Sequence, residues 1–224
     1  MMSDGVSELP FYRFNLGARC GDAPAAVRAN REALNREYGL PGEPLWLHQV
    51  HGIEVVSDDG TRGSDPLADA AVTSHAGSVL AVLTADCLPV LLAAEDGSVL
   101  GAAHAGWRGL VGGVIEQTVA TMGAPPERLV AWLGPCIGPE RFEVGAEVRE
   151  AFLTAGDAPE AFRASPAGRW LCDLSAIARA RLQRLGVGRV AGGGWCTAAD
   201  SVRFFSHRRD QLTGRMAAML WREA

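Results

Sequence analysis

The segment between residues 69 and 107 restricts the possible folds of this chain more than any other. It reads DAAVTSHAGSVLAVLTADCLPVLLAAEDGSVLGAAHAGW, an almost continuously apolar run with short polar interruptions. Apolar runs bounded by turn residues are typical of buried strands. The interruption EDGS is a hairpin signal, and it predicts that PVLLAA pairs with VLGAAHA. The sequence therefore predicts several neighbouring strands at the centre of the fold.

Helical and strand patterns surround this segment. The spacing of apolar residues predicts a helix in PAAVRANREALNREYGL that ends at Gly39, and another in DLSAIARARLQRLGV that begins at the N-cap Asp173. Two more helices are predicted in LVGGVIEQTVATMGA, after Gly109, and in EVGAEVREAFLTAG. Further strands or strand ends are predicted in PLWLHQVHG, IEVVSDDG, RLVAWLGP, RVAGGGWCT, VRFFSHRRD and GRMAAMLWR. This mixture predicts an α/β or α+β fold with a mixed sheet.

Size and charge limit the organisation and the partners. The chain has 224 residues, of which 48% are hydrophobic, and this is enough for one core, so a single domain over residues 1–224 is predicted. The formal net charge of −5 predicts neither nucleic acid nor a membrane as a partner. No signal peptide or membrane-spanning run is recognised, which predicts a cytoplasmic protein. Nothing in the sequence specifies an oligomeric state.

Several cysteines and histidines lie near strand ends bounded by glycine or proline. There are five cysteines, an odd and widely spaced set, which argues against a disulfide framework. The predicted hairpin brings Cys87, in ADCLP, and His104, in AAHAGWRG, to the same open end. His51, in QVHG, is a third candidate. The spacing of the three does not match a short zinc finger, and a cysteine in an apolar run is also consistent with a small core residue.

Two charged residues beside these candidates call for an explanation. Asp86 precedes Cys87 inside the apolar run, and an aspartate is almost never fully buried without a partner. Asp86 is predicted either to orient a metal ligand from outside the coordination sphere or to cap the turn before Pro89. Arg108 lies between two glycines at the predicted start of a helix, where backbone N–H groups and a guanidinium make a candidate anion site. The alternative for Arg108 is a tight turn with an exposed arginine.

Seven sequence blocks, in one order, resemble the laccase-domain proteins, also called the YfiH or polyphenol oxidase family and often named purine nucleoside phosphorylases. The blocks are FNLGARCGDAPAAVRANREAL, WLHQVHG, DAAVTSHAGSVLAVLTADCLPVLL, GAAHAGWRGL, LGPCIGPERFEVGAEV, CDLSAIARARL and FFSHRRDQLTGRMAAML. The resemblance implies an α/β fold of layered sheets and helices, grouped with cysteine-hydrolase-like toxins. It also implies a zinc site whose ligands are His51, Cys87 and His104. His207 stands where the family more often has tyrosine.

The same resemblance implies an enzyme that acts on small molecules. The implied reaction is phosphorolysis of adenosine, inosine and guanosine, with adenosine deamination and methylthioadenosine phosphorylase activity alongside. Some members are described as peptidoglycan-editing factors. Three protein ligands leave a fourth zinc position open, which is the form a catalytic site takes. Arg108 and the helix start after it are the candidates for holding phosphate.

Other functions stay open at this point. The older family name implies copper-dependent oxidation of phenols, and a blue-copper centre also uses two histidines and a cysteine. A multicopper cluster needs more histidines than the five present, which include no H-x-H pair. A metal-free hydrolase or amidase would use Cys87 as the nucleophile and His104 as the base. A binding module without catalytic activity is the remaining class.

Overall fold

The computed structural model describes residues 5–12, 14–60, 65–166 and 168–223. The α-helices are α1 Pro24–Tyr38, α2 Trp107–Gly112, α3 Val114–Met122, α4 Ala146–Thr154, α5 Leu174–Arg184 and α6 His207–Asp210. The strands are β1 Val55–Asp58, β2 Ala70–Thr73, β3 Val79–Thr84, β4 Leu88–Ala94, β5 Leu100–Ala105, β6 Leu129–Leu133, β7 Glu143–Val144, β8 Phe162–Ala164, β9 Trp170–Cys172, β10 Arg189–Gly192 and β11 Met216–Trp221. None of the described helices has the length and apolarity needed to span a bilayer.

The central layer is a six-stranded mixed sheet in the order β1-β2-β5-β4-β6-β10. The two outer pairs, β1 with β2 and β6 with β10, are parallel, and the inner pairs are antiparallel. Strands β3 and β11 form a separate antiparallel pair, and β7, β9 and β8 form a small third sheet. The predicted α/β fold with a mixed sheet is confirmed.

Both faces of the central sheet are covered. Successive strand residues point to opposite faces, so Ala70 and Val72 join one hydrophobic cluster and Ala71 joins another. The first cluster includes the apolar sides of α3 and α5, whereas the second lies between the central sheet and the β3–β11 pair. Helix α1 contributes Leu34 to a third cluster with Val79, on the other face of that pair. The result is the layered arrangement of sheets and helices that the resemblance implied.

The predicted hairpin is confirmed. Strands β4 and β5 pair in antiparallel fashion, with Leu88 opposite Ala105 and Pro89 opposite His104. The connection is closed by hydrogen bonds from Ala94 N to Val99 O and from Gly97 N to Ala94 O. Because the turn lies at one end, Cys87 and His104 lie at the open end of the same hairpin.

Two helix boundaries follow their local signals. Gly39 terminates α1 in the left-handed conformation, with φ of 56°, and its N–H donates to Asn35 O. Glycine is common there because it adopts positive φ without a steric penalty. The Asp173 carboxylate accepts a hydrogen bond of 2.9 Å from Ala176 N and caps α5.

Three predicted elements differ from the structure. PLWLHQVHG is an irregular segment with isolated bridges at Leu45 and His48 instead of a strand, because several of its N–H groups bind a carboxylate rather than a neighbouring strand, as described below. The single helix predicted after Gly109 is two helices, α2 and α3, because Gly113 adopts a φ of 97° between them. VRFFSHRRD forms turns and the short helix α6, whose first turn is capped by Ser206.

A buried ion pair anchors α5 to the junction between α2 and α3. Arg181 Nη2 lies 2.5 Å from Asp157 Oδ2, and the side chains are 4% and 2% exposed. Arg181 Nη1 also donates to Leu110 O at 2.6 Å and to Glu116 Oε1 at 3.2 Å. Buried charges require such pairing, so this cluster fixes the helix that carries Trp107.

We expect Arg181→Met to lower the free energy of unfolding by roughly 3–5 kcal/mol, because it leaves the buried Asp157 carboxylate without its main partner. Urea denaturation followed by circular dichroism measures the change. The control is Arg163→Met, whose ion pair with Glu140 is exposed and whose loss should change the free energy of unfolding far less, because water screens the pair. Equal losses in the two variants would contradict the role of Arg181.

Candidate metal centre and cavity

Three side chains meet at the open end of the β4–β5 hairpin. Cys87 Sγ lies 3.8 Å from His51 Nε2, and the rings of His51 and His104 are T-shaped, with centroids 4.9 Å apart. One ligand atom from each of the three residues lies within 4.8 Å of the other two. Across the described residues this is the one group of three or more histidine, cysteine, aspartate or glutamate side chains placed closely enough to hold a metal.

Each of these residues is positioned by a different element. Cys87 directly precedes β4, and His104 is the second-last residue of β5. His51 lies in the irregular segment before β1, with φ of 63°. Positive φ is uncommon for a residue other than glycine, so the surrounding contacts must hold the backbone of this segment.

Asp69 supplies those contacts, and the sequence analysis missed it. This carboxylate is fully buried, and its Oδ1 accepts hydrogen bonds from His51 N at 2.9 Å and from His104 Nδ1 at 2.7 Å. Its Oδ2 accepts from Val50 N at 3.0 Å and Gly52 N at 2.7 Å. These bonds take the place of the strand-to-strand hydrogen bonds that were expected for the strand predicted in PLWLHQVHG. The sequence did contain a signal for Asp69, namely an aspartate directly before a predicted buried strand. A buried aspartate needs hydrogen-bond partners, so this position indicates a residue that organises its surroundings.

The charges at the centre favour a thiolate. Burial opposes ionisation of Cys87, but the charge of His104 and hydrogen bonds from both histidines outweigh it and lower the pKa of the thiol to about 6. Burial also opposes the charge on His104, but the Cys87 thiolate and the Asp69 hydrogen bond raise its pKa to about 9. Without a metal, the pair would be a thiolate facing an imidazolium at neutral pH.

The donor set fits a tetrahedral metal ion such as zinc. Zinc–sulfur and zinc–nitrogen bonds of normal length at tetrahedral angles place the sulfur and nitrogen about 3.6 Å apart, close to the 3.8 Å between Cys87 and His51. His104 donates Nδ1–H to Asp69 and so keeps Nε2 for a ligand bond. A carboxylate behind the second ring nitrogen is usual for metal-bound histidine. The same donors also suit copper.

Two glycines let the chain approach this centre closely. A Cβ on Gly106 would lie 2.9 Å from both Cys87 Sγ and His51 Cδ2, and one on Gly109 would lie 2.8 Å from Gly52 O. Real Cβ atoms do not come this close to other heavy atoms. The glycines of HAGWRG therefore have a packing role, because they let α2 begin directly against the histidine-bearing loop.

The hydrogen bonds of the Asp86 side chain go to residues other than the three candidate ligands. Its buried carboxylate accepts hydrogen bonds of 2.6 Å from the Thr197 hydroxyl and of 2.6 Å from Arg208 N. Both oxygens are therefore engaged by the loop before α6 and by α6 itself, and the ligand-orienting carboxylate is Asp69. Asp86 caps a helix rather than the turn before Pro89.

The centre opens on a cavity of about 770 Å³. Its apolar lining includes Trp107, Ile137, Phe142 and Leu174. Its charged lining consists of five arginines against two aspartates: Arg19, Arg31, Arg108, Arg208, Arg215, Asp65 and Asp86. The cavity is thus electropositive, although the whole chain carries a formal charge of −5.

Arg108 lies at the cavity wall beside the centre. Its side chain is exposed, and its guanidinium carbon lies 4.4 Å from the centroid of the Trp107 ring. No carboxylate of the described residues forms a salt bridge with it. His207 also lines the cavity, and its Nδ1 lies 2.6 Å from Gln211 O.

Comparison with known proteins assigns the family. A family described as multi-copper polyphenol oxidoreductase laccase matches residues 1–223. The chain belongs to this laccase family. A relative from Xylella fastidiosa (strain Temecula1), named purine nucleoside phosphorylase, is 52% identical over 97% of this chain and 88% of its own length. The Escherichia coli K12 protein named purine nucleoside phosphorylase YfiH is 47% identical over 97% and 89%.

Solved structures support the same assignment of this laccase-family chain. Neisseria meningitidis protein NMB0706 superposes with a TM-score of 0.93 at 46% identity, covering 98% of this chain and 90% of that one. YlmD from Geobacillus stearothermophilus superposes with a TM-score of 0.92 at 31% identity, covering 98% and 88%. The resemblance to the YfiH family seen in the sequence is confirmed.

We expect Asp69→Asn to weaken metal binding roughly 10- to 100-fold, because carboxylates behind ligating histidines have effects of this size. Competition with a coloured chelator measures the affinity. The matched control is Asp86→Asn, a second buried aspartate without a bond to a candidate ligand, and it should retain most of the metal. Equal losses in the two variants would show that Asp69 has no special relation to the centre.

We also expect Cys87 of chelator-treated protein to react with iodoacetamide with a half-maximal rate near pH 6, as its lowered pKa requires. The background would carry Cys20→Ser and Cys196→Ser, and burial raises the pKa of both remaining thiols, Cys136 and Cys172. His104→Gln should move the midpoint upward, because it removes the largest favourable charge. A midpoint near the ordinary value of about 8.5 in the parent protein would contradict the pairing.

Proposed function

We propose that this protein is a zinc-dependent purine nucleoside phosphorylase that converts adenosine, inosine or guanosine and phosphate into the free base and ribose 1-phosphate. The observation that carries the proposal is the group of His51, Cys87 and His104 opening on a cavity of about 770 Å³ with a basic and aromatic lining. The names of the Xylella and Escherichia coli relatives support the same reaction.

His51 and His104, through ring nitrogens, and Cys87, through its thiolate, would hold the zinc ion. When bound, zinc supplies a Lewis acid and a fixed positive charge at this end of the cavity. Asp69 holds the backbone of His51 and the ring of His104 in place through a single carboxylate oxygen, Oδ1. The chain thus fixes the donors by hydrogen bonds and close packing before any substrate enters.

Arg108 is proposed to bind phosphate. A guanidinium can donate two parallel hydrogen bonds to phosphate oxygens, and stacking on Trp107 restricts the motion of this one. In the reaction a phosphate oxygen bonds to the ribose anomeric carbon while the glycosidic C–N bond breaks, and its electron pair goes to the purine. Holding the two reactants in line removes much of the entropic barrier.

The purine is proposed to lie against the apolar part of the lining. Trp107 and Phe142 offer aromatic faces for a flat heterocycle, and Ile137 adds aliphatic surface. Methylthioadenosine has the same glycosidic bond and fits the same arrangement. Adenosine deamination, in which water replaces the amino group of the purine, is proposed as a second activity of the same cavity.

Two other functions use the same residues. The lowered pKa of Cys87 beside His104 is also what a cysteine hydrolase or amidase needs, including one with a peptidoglycan-editing role. The donor set and the family description are compatible with copper and phenol oxidation. Metal analysis of protein purified without chelators separates the three: zinc, copper, or no metal with retained hydrolysis.

We expect the protein purified without chelators to convert inosine and phosphate into equal amounts of hypoxanthine and ribose 1-phosphate, measured by chromatography. Cys87→Ser should lose metal and turnover together, because it removes the thiolate. Arg108→Gln should retain the metal but raise the KM for phosphate roughly tenfold, because it removes a charge-assisted hydrogen bond.

Two results would count against this proposal. A zinc-loaded protein that turns over none of the three nucleosides would exclude phosphorolysis as its activity. An unchanged KM for phosphate in Arg108→Gln would exclude the role of Arg108 alone.

A further inference from the structure

A second set of arginines, Arg31 and Arg215, lines the cavity together with residues 17–20, and the proposed function assigns them no role. Arg31 donates from Nε and Nη2 to the Leu16 carbonyl, at 3.0 and 2.8 Å. Its guanidinium carbon lies 3.9 Å from the centroid of the Trp46 ring. The Arg31 side chain is therefore fixed from two sides.

Arg215 lies against the same two residues, Leu16 and Gly17. Leu16 N donates to Arg215 O at 3.1 Å, and a Cβ on Gly17 would lie 2.6 Å from Arg215 Cγ. The Arg215 guanidinium is fixed by bonds from Nη1 to Thr213 O at 2.8 Å and to Gly214 O at 3.0 Å. Both arginines thus contact the Leu16–Gly17 segment, and both line the cavity.

The side chain of Asn15 stabilises this part of the cavity wall through hydrogen bonds. Its side chain is fully buried, with Oδ1 accepting from Gly17 N at 2.9 Å and from Arg215 N at 2.8 Å. Its Nδ2 donates to Gly17 O at 3.2 Å and to Asp22 Oδ2 at 2.9 Å. The side chain of Asn15 therefore sets both the shape of the loop and the backbone position of Arg215.

Several N–H groups on this wall are available to a ligand. Arg31 Nη1, and Nε and Nη2 of Arg215, form no hydrogen bond within the described part of the chain. Burial lowers the pKa of Arg31. The nearby carboxylates of Glu43 and Asp65 oppose this shift, whereas the like charge of Arg19 adds to it. Arg19 is itself paired with Asp65 at 2.8 Å. An anion bound to Arg31 would relieve this repulsion.

We propose that Arg31 and Arg215 form a phosphoryl-binding subsite in the same cavity as the His51–Cys87–His104 group. The ligand chemistry is a phosphate dianion, which guanidinium groups bind through paired hydrogen bonds. It is supplied either by inorganic phosphate or by the 5′-phosphate of a nucleoside monophosphate. The link to nucleosides rests on the proposed function, but the binding of a phosphoryl group does not.

Direct binding tests the subsite. Calorimetric titration of the metal-loaded protein with inorganic phosphate, and separately with adenosine 5′-monophosphate, gives affinities that do not depend on turnover. Arg31→Gln and Arg215→Gln should each weaken at least one of the two ligands about tenfold or more, because each loses a charge-assisted contact. The matched control is Arg222→Gln. Arg222 also donates to a backbone carbonyl, that of Gly97, but it lies outside the cavity lining. This variant should leave both affinities unchanged.

The two sources of the phosphoryl group give different results. Weaker binding of inorganic phosphate, with a raised KM for phosphate and an unchanged KM for inosine, identifies a co-substrate subsite. Weaker binding of the monophosphate alone identifies a nucleotide subsite. A wild-type protein that binds neither ligand, or folded variants that bind both as tightly as the wild type, would overturn the proposal. Absence of nucleoside turnover with intact, arginine-dependent phosphate binding would instead overturn only the proposed function.

Two milder variants keep the test decisive if a glutamine variant fails to fold. Arg31→Lys retains the charge but loses the planar fork, so it should weaken phosphoryl binding less than Arg31→Gln. Gly17→Ala keeps both arginines but forces the Arg215 side chain to move, so it should also weaken binding. Unchanged affinity in both variants, with wild-type thermal unfolding, would count against the subsite.

Discussion

The arrangement of the metal centre depends on the burial of one charged group, the Asp69 carboxylate. An unpaired buried carboxylate is strongly unfavourable, and Asp69 is stabilised by donors from two elements, the loop at residues 50–52 and the ring of His104. A backbone bond of 2.7 Å from His104 N to Asp69 O also joins the main chains of His104 and Asp69. Any change that removes this carboxylate must therefore alter the loop, the imidazole and the charge balance together.

Asp86 has a comparable function on another side of the cavity. It accepts hydrogen bonds from Thr197 and Arg208, which lie 111 and 122 residues further along the chain. The φ of Asp86 is 100°, in the region that favours glycine. The backbone is therefore locally strained at the residue that carries this carboxylate. Asp69 thus positions candidate metal ligands, whereas Asp86 positions residues of the cavity wall. Metal binding and cavity shape therefore depend on different buried carboxylates.

Local signals were sufficient for much of the fold and for part of the site. The EDGS turn, Gly39 and Asp173 each act within a few residues, and the hairpin alone placed Cys87 and His104 at one end. His51 was assigned through family resemblance, because no local pattern brings that loop to the hairpin. Asp69 was missed because the groups that bind it, the N–H groups of residues 50–52 and the ring of His104, are distant from it in sequence. Helix α6 has a local cap in Ser206, but another of its N–H groups, that of Arg208, is bound by the distant carboxylate of Asp86. The strand predicted around His51 was wrong because a carboxylate, rather than a strand, satisfies its N–H groups.

The contrast between an acidic molecule and its arginine-lined cavity bears on how anions arrive. At distances greater than the Debye length, about 8 Å at physiological ionic strength, the net charge of −5 is screened and neither attracts nor repels strongly. Near the mouth, an approaching anion meets mainly the guanidinium groups, whose field is concentrated by the low-dielectric walls. The binding of an anion in the cavity is therefore governed by short-range interactions. The acidic exterior disfavours anions elsewhere on the surface, whereas the arginines of the cavity attract them.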